Sequence, residues 1–227
     1  MAARTRAIVP DRSAGIKPLN YNFEVKPPAF ITFEGLDGCG KTTQIERLAG
    51  YLRSRGEPVM VTREPGGTGI GERIREVVLG QQPAPAAELA LMCASRAQSV
   101  EEIIRPGLAA GAWVLCDRFH DATEAYQGGG RGFDREAIAA LHRVLCGDLQ
   151  PNLTLILDLD PRLALARARR LPAASRFEAE SEVFFARVAA VYREIAAREP
   201  WRCRLIPAEG TIDEVAGRVR EAVDDVD

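Results

Sequence analysis

Gly35-Leu36-Asp37-Gly38-Cys39-Gly40-Lys41-Thr42, continued by Thr43, decides how the rest of the chain is read. It follows the pattern G-x-x-x-x-G-K-[ST], a glycine-rich loop that wraps phosphate oxygens. The short β-prone run Phe30-Ile31-Thr32-Phe33 precedes it. After it, Ile45, Leu48, Ala49 and Leu52 recur at helical spacing. The loop therefore sits between a strand and a helix. Its glycines leave backbone N–H groups free to face an anion, and the helix start adds partial positive charge. Lys41 can reach the outer phosphates, and the Thr42 hydroxyl can join a magnesium shell. Residues 35 to 43 are expected to hold a nucleoside triphosphate, with modification of Cys39 blocking it.

Outward from this loop, the chain alternates strand and helix. Apolar runs at 57–62, 112–116, 153–159 and 203–206 read as further strands. Helices are expected around Ile70–Val78, Glu88–Ala110, Arg135–Leu145, from Pro161, over Ser181–Ala197 and over Ile212–Val223. In the first of these, Ile70, Ile74, Val77 and Val78 are expected on one face. Near-continuous apolar strands separated by helices predict an α/β fold, a five-stranded parallel sheet covered on both faces. Ligands then bind at the carboxyl ends of the strands. The polar stretches beginning at Gly35, Arg63 and Asp117 each follow a strand, so they are expected to meet at one edge.

The chain has 227 residues, enough for one large domain, and a net charge of −2, which offers no bulk electrostatic case for nucleic acid. No apolar run is long enough to span a bilayer. Its five cysteines, 39, 93, 116, 146 and 203, show no C-x-x-C spacing. That favours reduced thiols in the cytoplasm over a disulfide framework or zinc site. Residues 1–28 carry Arg4, Arg6 and Arg12 among Ala, Pro and Ser without an apolar period, and read as a flexible extension before a domain at 29–227. Asp11 and Glu24 break the acid-poor pattern of a transit peptide.

Asp117, ending an apolar strand, suits the acidic residue that places magnesium beside such loops, paired with Thr42. Arg63, Arg96 and Arg118 supply guanidinium forks that match phosphate oxygens. Arginines recur from Arg162 to Arg176, interrupted by Leu171-Pro172-Ala173-Ala174-Ser175. An arginine-bearing lid at about 167–178 is expected, because a phosphoryl-transfer site must exclude water. A GTPase-type switch is the competing class, but Asn20, Asn22 and Asn152 do not fall in its Asn-Lys-x-Asp base-reading motif.

Over about residues 29 to 225 the chain resembles the thymidylate kinases. The resemblance rests on the phosphate loop, Thr62-Arg63-Glu64-Pro65-Gly66-Gly67-Thr68, Asp117-Arg118-Phe119, and above all Ala125-Tyr126-Gln127-Gly128-Gly129-Gly130-Arg131-Gly132. It looks like the bacterial form, with Gly38 and Cys39 instead of an arginine inside the loop. The resemblance implies ATP as donor, Mg2+, dTMP as acceptor, dTDP as product and a homodimer. It places Arg63 and Arg118 on the acceptor phosphate, Arg96 on the pyrimidine base and Thr123 at the base edge. Tyr126 would lie under the sugar, Gln127 beside it, and Asp37 near the sugar 3′-hydroxyl. Lys41, Arg118, Arg167 and Arg169 would share the charge of the transferring phosphoryl group. Three departures stand out: Met92 where the family has a base-stacking Phe, Ala122 where it commonly has Ser, and Ser175-Arg176 in place of Asp-Arg. The residues alone leave open a kinase for another deoxypyrimidine monophosphate, or a non-catalytic nucleotide-binding relative.

Overall fold

The computed structural model describes residues 28–147, 149–170, 177 and 180–224. Residues 1–27 of the extension, and Ser175, Arg176 and Glu178 of the expected lid, lie outside the described residues.

Five strands form one parallel sheet among the described residues: β1 (Ala29–Gly35), β2 (Val59–Arg63), β3 (Trp113–Asp117), β4 (Leu153–Asp158) and β5 (Cys203–Pro207). The spatial order is β2-β3-β1-β4-β5. β1 is central and buried along its whole length, Thr32 and Glu34 included. The register sets Phe33 beside Asp117, and Asp117 beside Arg63. The three polar stretches therefore leave the sheet abreast, as the strand-end reading expects.

Helix α1 (Lys41–Ser54) follows the phosphate loop, burying Ile45, Leu48, Ala49 and Leu52. Helix α2 (Gly69–Gly80) is capped by Thr68, whose hydroxyl accepts the Gly71 N–H. Its inward face matches the expected one in part: Val78 is buried and Ile74 packs against the core, but Ile70 is 55% exposed. Gly71 and Arg75 share the inner side instead, because the Gly71 Cα packs against the Gly66 carbonyl, where a Cβ would lie 2.5 Å from the oxygen. The long helix expected from Glu88 is three pieces. Helix α3 (Pro85–Ser99) widens into a π-type turn at Val100–Ile104 before α4 (Arg105–Ala109). Pro106 explains the break, since it lacks an N–H and its ring collides with the preceding turn of a regular helix.

A second π-type stretch, Glu124–Gly130, continues the short helix α5 (His120–Thr123). This element is absent from the sequence reading. Its glycines serve close packing. A Cβ on Gly129 would lie 2.5 Å from Val191, and one on Gly130 2.5 Å from Phe184, both on α8 (Glu182–Arg198). Helices α6 (Arg135–Cys146), α7 (Pro161–Ala168) and α9 (Ile212–Asp224) complete the layers.

Candidate active site

The glycines of the phosphate loop earn their places by conformation and by room. Gly35, Gly38 and Gly40 have φ of 128°, 81° and 100°, a region that side chains disfavour. A Cβ on Gly38 would meet the Ala164 carbonyl of α7 at 2.3 Å. Leu36 and Cys39 turn into the core, so they serve the loop through backbone alone. Burial pushes the Cys39 thiol up, away from reactivity, which corrects the expectation of a modifiable cysteine. Lys41 donates through Nζ to the carbonyls of Leu36 at 3.0 Å and Gly35 at 3.4 Å. Its ammonium is held over the loop's own oxygens, at the mouth of the anion site.

The Thr42 hydroxyl donates to Asp117 Oδ2 at 3.2 Å. These are hard oxygen donors, open to the cleft, and they fit magnesium, which takes one or two protein oxygens and completes its shell with substrate phosphate and water.

Arg118 follows Asp117 with φ 71°, a left-handed conformation that a non-glycine residue holds only when its surroundings compel it. Two bonds do so. Its N–H donates to the Phe33 carbonyl at 2.9 Å, and the next N–H, of Phe119, donates to Glu34 Oε1 at 2.7 Å. The side chain is thereby driven under the loop. Its Nη1 donates to the Gly35 carbonyl at 3.0 Å and the Tyr192 hydroxyl at 3.2 Å. Its Nη2 donates to Asp37 Oδ1 at 2.6 Å and the Tyr126 hydroxyl at 3.2 Å. Tyr126 donates in turn to Asp37 Oδ2 at 3.0 Å, and Tyr192 to Glu34 Oε2 at 2.9 Å. Burial raises the Asp37 carboxyl, but the charges of Arg118 and Lys41 outweigh it and hold it below the usual carboxylate range. Glu34 behaves oppositely: burial, with the Asp121 charge added, pushes it up to about 8 against the pull of Arg118.

Arg63 pairs with Glu72 Oε2 at 2.8 Å at the surface, while Glu72 Oε1 accepts the Gly67 N–H at 2.7 Å. Arg96 is buried. Its Nε donates to Glu64 Oε2 at 2.8 Å, and its Nη2 donates to the Phe119 carbonyl at 2.9 Å and the Thr123 hydroxyl at 2.8 Å. Gln127 Nε2 donates to the buried Glu88 at 2.6 Å.

One cleft of about 800 Å³ joins these groups. Lys41, Thr42, Thr43 and Asp117 line one half; Met92, Arg96, Ala122, Thr123, Tyr126 and Gln127 line the other; Arg63 and Arg118 stand at the junction. Arg167 reaches the lining and Arg169 does not. Two residues apart at a helix end is about 200° of rotation, which sends the second side chain away. Met92 lines the cleft and also packs against the core.

Sequence reasoning missed Arg75. It lines the cleft and donates to the Pro65 carbonyl at 2.9 Å. Burial, with the neighbouring Arg63 charge, holds its guanidinium below the usual arginine value. The signal was present in the spacing 71, 75, 78, which puts a charge on the inner face of α2.

A parallel sheet with this strand order, a glycine loop cradling phosphate and a facing arginine-lined pocket define a phosphate-loop nucleotide kinase architecture. The sequence model of the family "Thymidylate kinase" matches residues 33–219. The thymidylate kinase of Paraburkholderia xenovorans is 48% identical over 198 residues, 86% of this chain and 96% of that protein. That of Pseudomonas syringae pv. syringae is 49% identical over 189 residues, 82% and 90% of the two chains. The crystal structure of thymidylate kinase from Ehrlichia chaffeensis superposes with a TM-score of 0.71 at 36% identity, covering 86% of this chain and 98% of that one. The chain belongs to the thymidylate kinase family.

Proposed function

We infer that this chain transfers the γ-phosphoryl group of ATP to dTMP, giving dTDP and ADP. The carrying observation is the single cleft that joins the Lys41 loop to the pocket of Arg96 and Tyr126. An oxygen of the dTMP phosphate attacks the γ-phosphorus. The bond from that phosphorus to the β–γ bridging oxygen breaks, and ADP leaves with the electron pair. The attacking oxygen is already anionic, so no strong base is needed. Two anions must meet, so charge neutralisation carries the catalysis. Lys41 and Arg167 face the donor phosphates; Arg63, Arg75 and Arg118 gather at the acceptor phosphate. Arg169 joins them only if its helix end turns. Thr42 and Asp117 would hold Mg2+, which supplies further charge neutralisation at the phosphates.

In the acceptor half, the Nη1 hydrogens of Arg96 are those the protein leaves uncommitted. They are donors only, so they suit a base with a carbonyl at this position, as thymine has, over one with an amino group. Tyr126, hydrogen-bonded beneath the pocket, supports the assignment of the deoxyribose to that side.

The chain is taken as a homodimer, which the apolar row Leu141, Val144 and Leu145 on α6 supports, Val144 being 81% exposed. A cytoplasmic setting is supported by five free cysteines, all buried. No helix among the described residues is long and apolar enough to cross a membrane. Residues 1–28 are taken as an extension, which the family match beginning at residue 33 supports.

A coupled ADP-release assay over dTMP, dUMP, dCMP, dAMP and dGMP tests the reading. Turnover greatest with dTMP is expected; turnover with dCMP exceeding it would overturn the acceptor, and no ADP release with any of them would overturn the reaction.

A further inference from the structure

Glu64 is the first residue beyond β2, and its N–H donates to the Asp117 carbonyl at 2.9 Å, which fixes its backbone to the neighbouring strand. Its carboxylate meets Arg96 in a pair almost wholly withdrawn from water, with side chains 4% (Arg96) and 3% (Glu64) exposed. An arginine has five N–H hydrogens in a rigid plane. Here the Nε hydrogen goes to Glu64, and the two Nη2 hydrogens go to Phe119 and Thr123. The three partners come from two segments of chain, the end of β2 for Glu64 and the two ends of α5 for Phe119 and Thr123. Together they fix both the tilt and the rotation of the guanidinium plane. The Nη1 group is left over, and it is not among the buried polar atoms that lack a partner. Arg96 lines the cleft. Nη1 therefore opens toward the acceptor pocket.

Of the three anchors, Glu64 alone carries charge and alone holds the Nε edge. Without it, the guanidinium can turn about its Cδ–Nε bond and its neighbours, and Phe119 and Thr123 can be served by different hydrogens. The Nη1 pair then has no defined direction. Its second carboxylate oxygen, Oε1, is buried with no hydrogen-bond partner among the described residues. The carboxylate is thus held in place by Arg96 and not by a wider polar network, so the two side chains set each other's position.

We propose that Glu64 is a positioning residue that aims the Arg96 Nη1 hydrogens at the 4-carbonyl of the acceptor base and so sets the discrimination against a 4-amino base. This rests on the acceptor reading given above. A fixed pair of donors rewards a carbonyl and meets an amino group donor against donor, whereas a swivelling guanidinium does neither well.

The test uses dTMP and 5-methyl-dCMP, which share the 5-methyl group and sugar phosphate and differ in the group at position 4, with the accompanying loss of the N3 hydrogen. Steady-state constants for both, and for ATP, are measured for wild type, Glu64→Ala and Glu64→Gln, with melting temperatures alongside. Glu64→Ala is expected to raise KM for dTMP about tenfold or more, with kcat and KM for ATP changed about twofold at most, and to narrow the ratio of kcat/KM between the two acceptors. Glu64→Gln keeps an oxygen for the Nε hydrogen and is expected to restore most of that ratio. If Glu64→Ala does not fold, Glu64→Asp takes its place: its shorter side chain withdraws the acceptor from the Nε hydrogen, so a narrowed ratio in a folded Asp variant supports aiming and a wild-type ratio overturns it. A merely structural role lowers melting temperature and active fraction while leaving the acceptor ratio of Glu64→Ala at the wild-type value, and that result would overturn the proposal. So would a folded Glu64→Gln that loses the discrimination while Glu64→Ala keeps it. A wild type that turns over neither acceptor overturns the acceptor reading itself, a result separable from failure of the Glu64 variants alone.

Discussion

The two halves of the cleft use the same pairing, arginine with glutamate, in opposite ways. In the phosphate half, Arg63 and Glu72 are 51% and 42% exposed. In the base half, Arg96 and Glu64 are 4% and 3% exposed. The exposed pair is worth little, because water solvates both partners and competes for each. The buried pair cannot be broken without leaving a charge in a dry site. An arriving phosphate can thus take Arg63 from Glu72 at small cost, whereas the base must fit around Arg96 as it stands. On the proposed reading, the phosphate half would exchange partners on binding and the base half would be set beforehand. Lys41 follows the exchangeable pattern, since its present acceptors are loop carbonyls that a phosphate oxygen outbids.

The sharpest break in this comparison is Lys41→Ala. It removes a charge aimed at the donor phosphates without touching the base half, so kcat should fall by about a hundredfold to a thousandfold while dTMP affinity holds. Single-turnover rates with parallel dTMP titration check both. Arg63→Ala should raise KM for dTMP about tenfold, the worth of one charge-assisted hydrogen bond at a partly exposed site, and leave the preference among bases unchanged. Glu72→Gln should do the reverse: with its competitor weakened, Arg63 is freer, and KM for dTMP should fall about two- to fivefold.

The smallest effect on activity is expected at Glu34, fully buried behind the cleft, where it accepts from the Phe119 N–H and the Tyr192 hydroxyl. Its carboxyl is pushed from an ordinary 4.5 to about 8 by burial, so the folded protein keeps a proton that the unfolded chain gives up. The stability this group contributes is full below pH 4.5 and is lost as pH rises to about 8. Glu34→Gln has no such proton, and its melting temperature should fall less steeply than wild type across that window, with turnover near wild type. A slope equal to wild type in calorimetry at pH 5, 6, 7 and 8 would count against it.

All five strands were legible, because each carries a short, largely apolar run between helical stretches, even at the sheet edge, where Met60 and Val61 of β2 are exposed. The loop was legible because its chemistry is local: nine consecutive residues carry it. The pairings were not. Glu64 and Arg96 are separated by 32 positions and Asp37 and Arg118 by 81, and their meeting depends on strand order, which periodicity does not reveal. The α5 continuation through Gly128, Gly129 and Gly130 was hidden for another reason. Glycine there answers to the closeness of other helices, α6 at Gly128 and α8 at Gly129 and Gly130, not to a turn. Arg75 was overlooked because Ile70 looked like the inward residue, and only the contact of Gly71 with the Gly66 carbonyl rotates α2 to its true face. Pro106, by contrast, was visible and undervalued; it announces the π-type turn before α4.

A crystal structure with dTMP bound tests the separation of the halves most directly. The account predicts that Arg63 leaves Glu72 for the phosphate, while Arg96 keeps Glu64, Phe119 and Thr123 and adds one contact to the base through Nη1. Arg63 still on Glu72, with Arg96 turned away from Glu64 to meet the base, would contradict it.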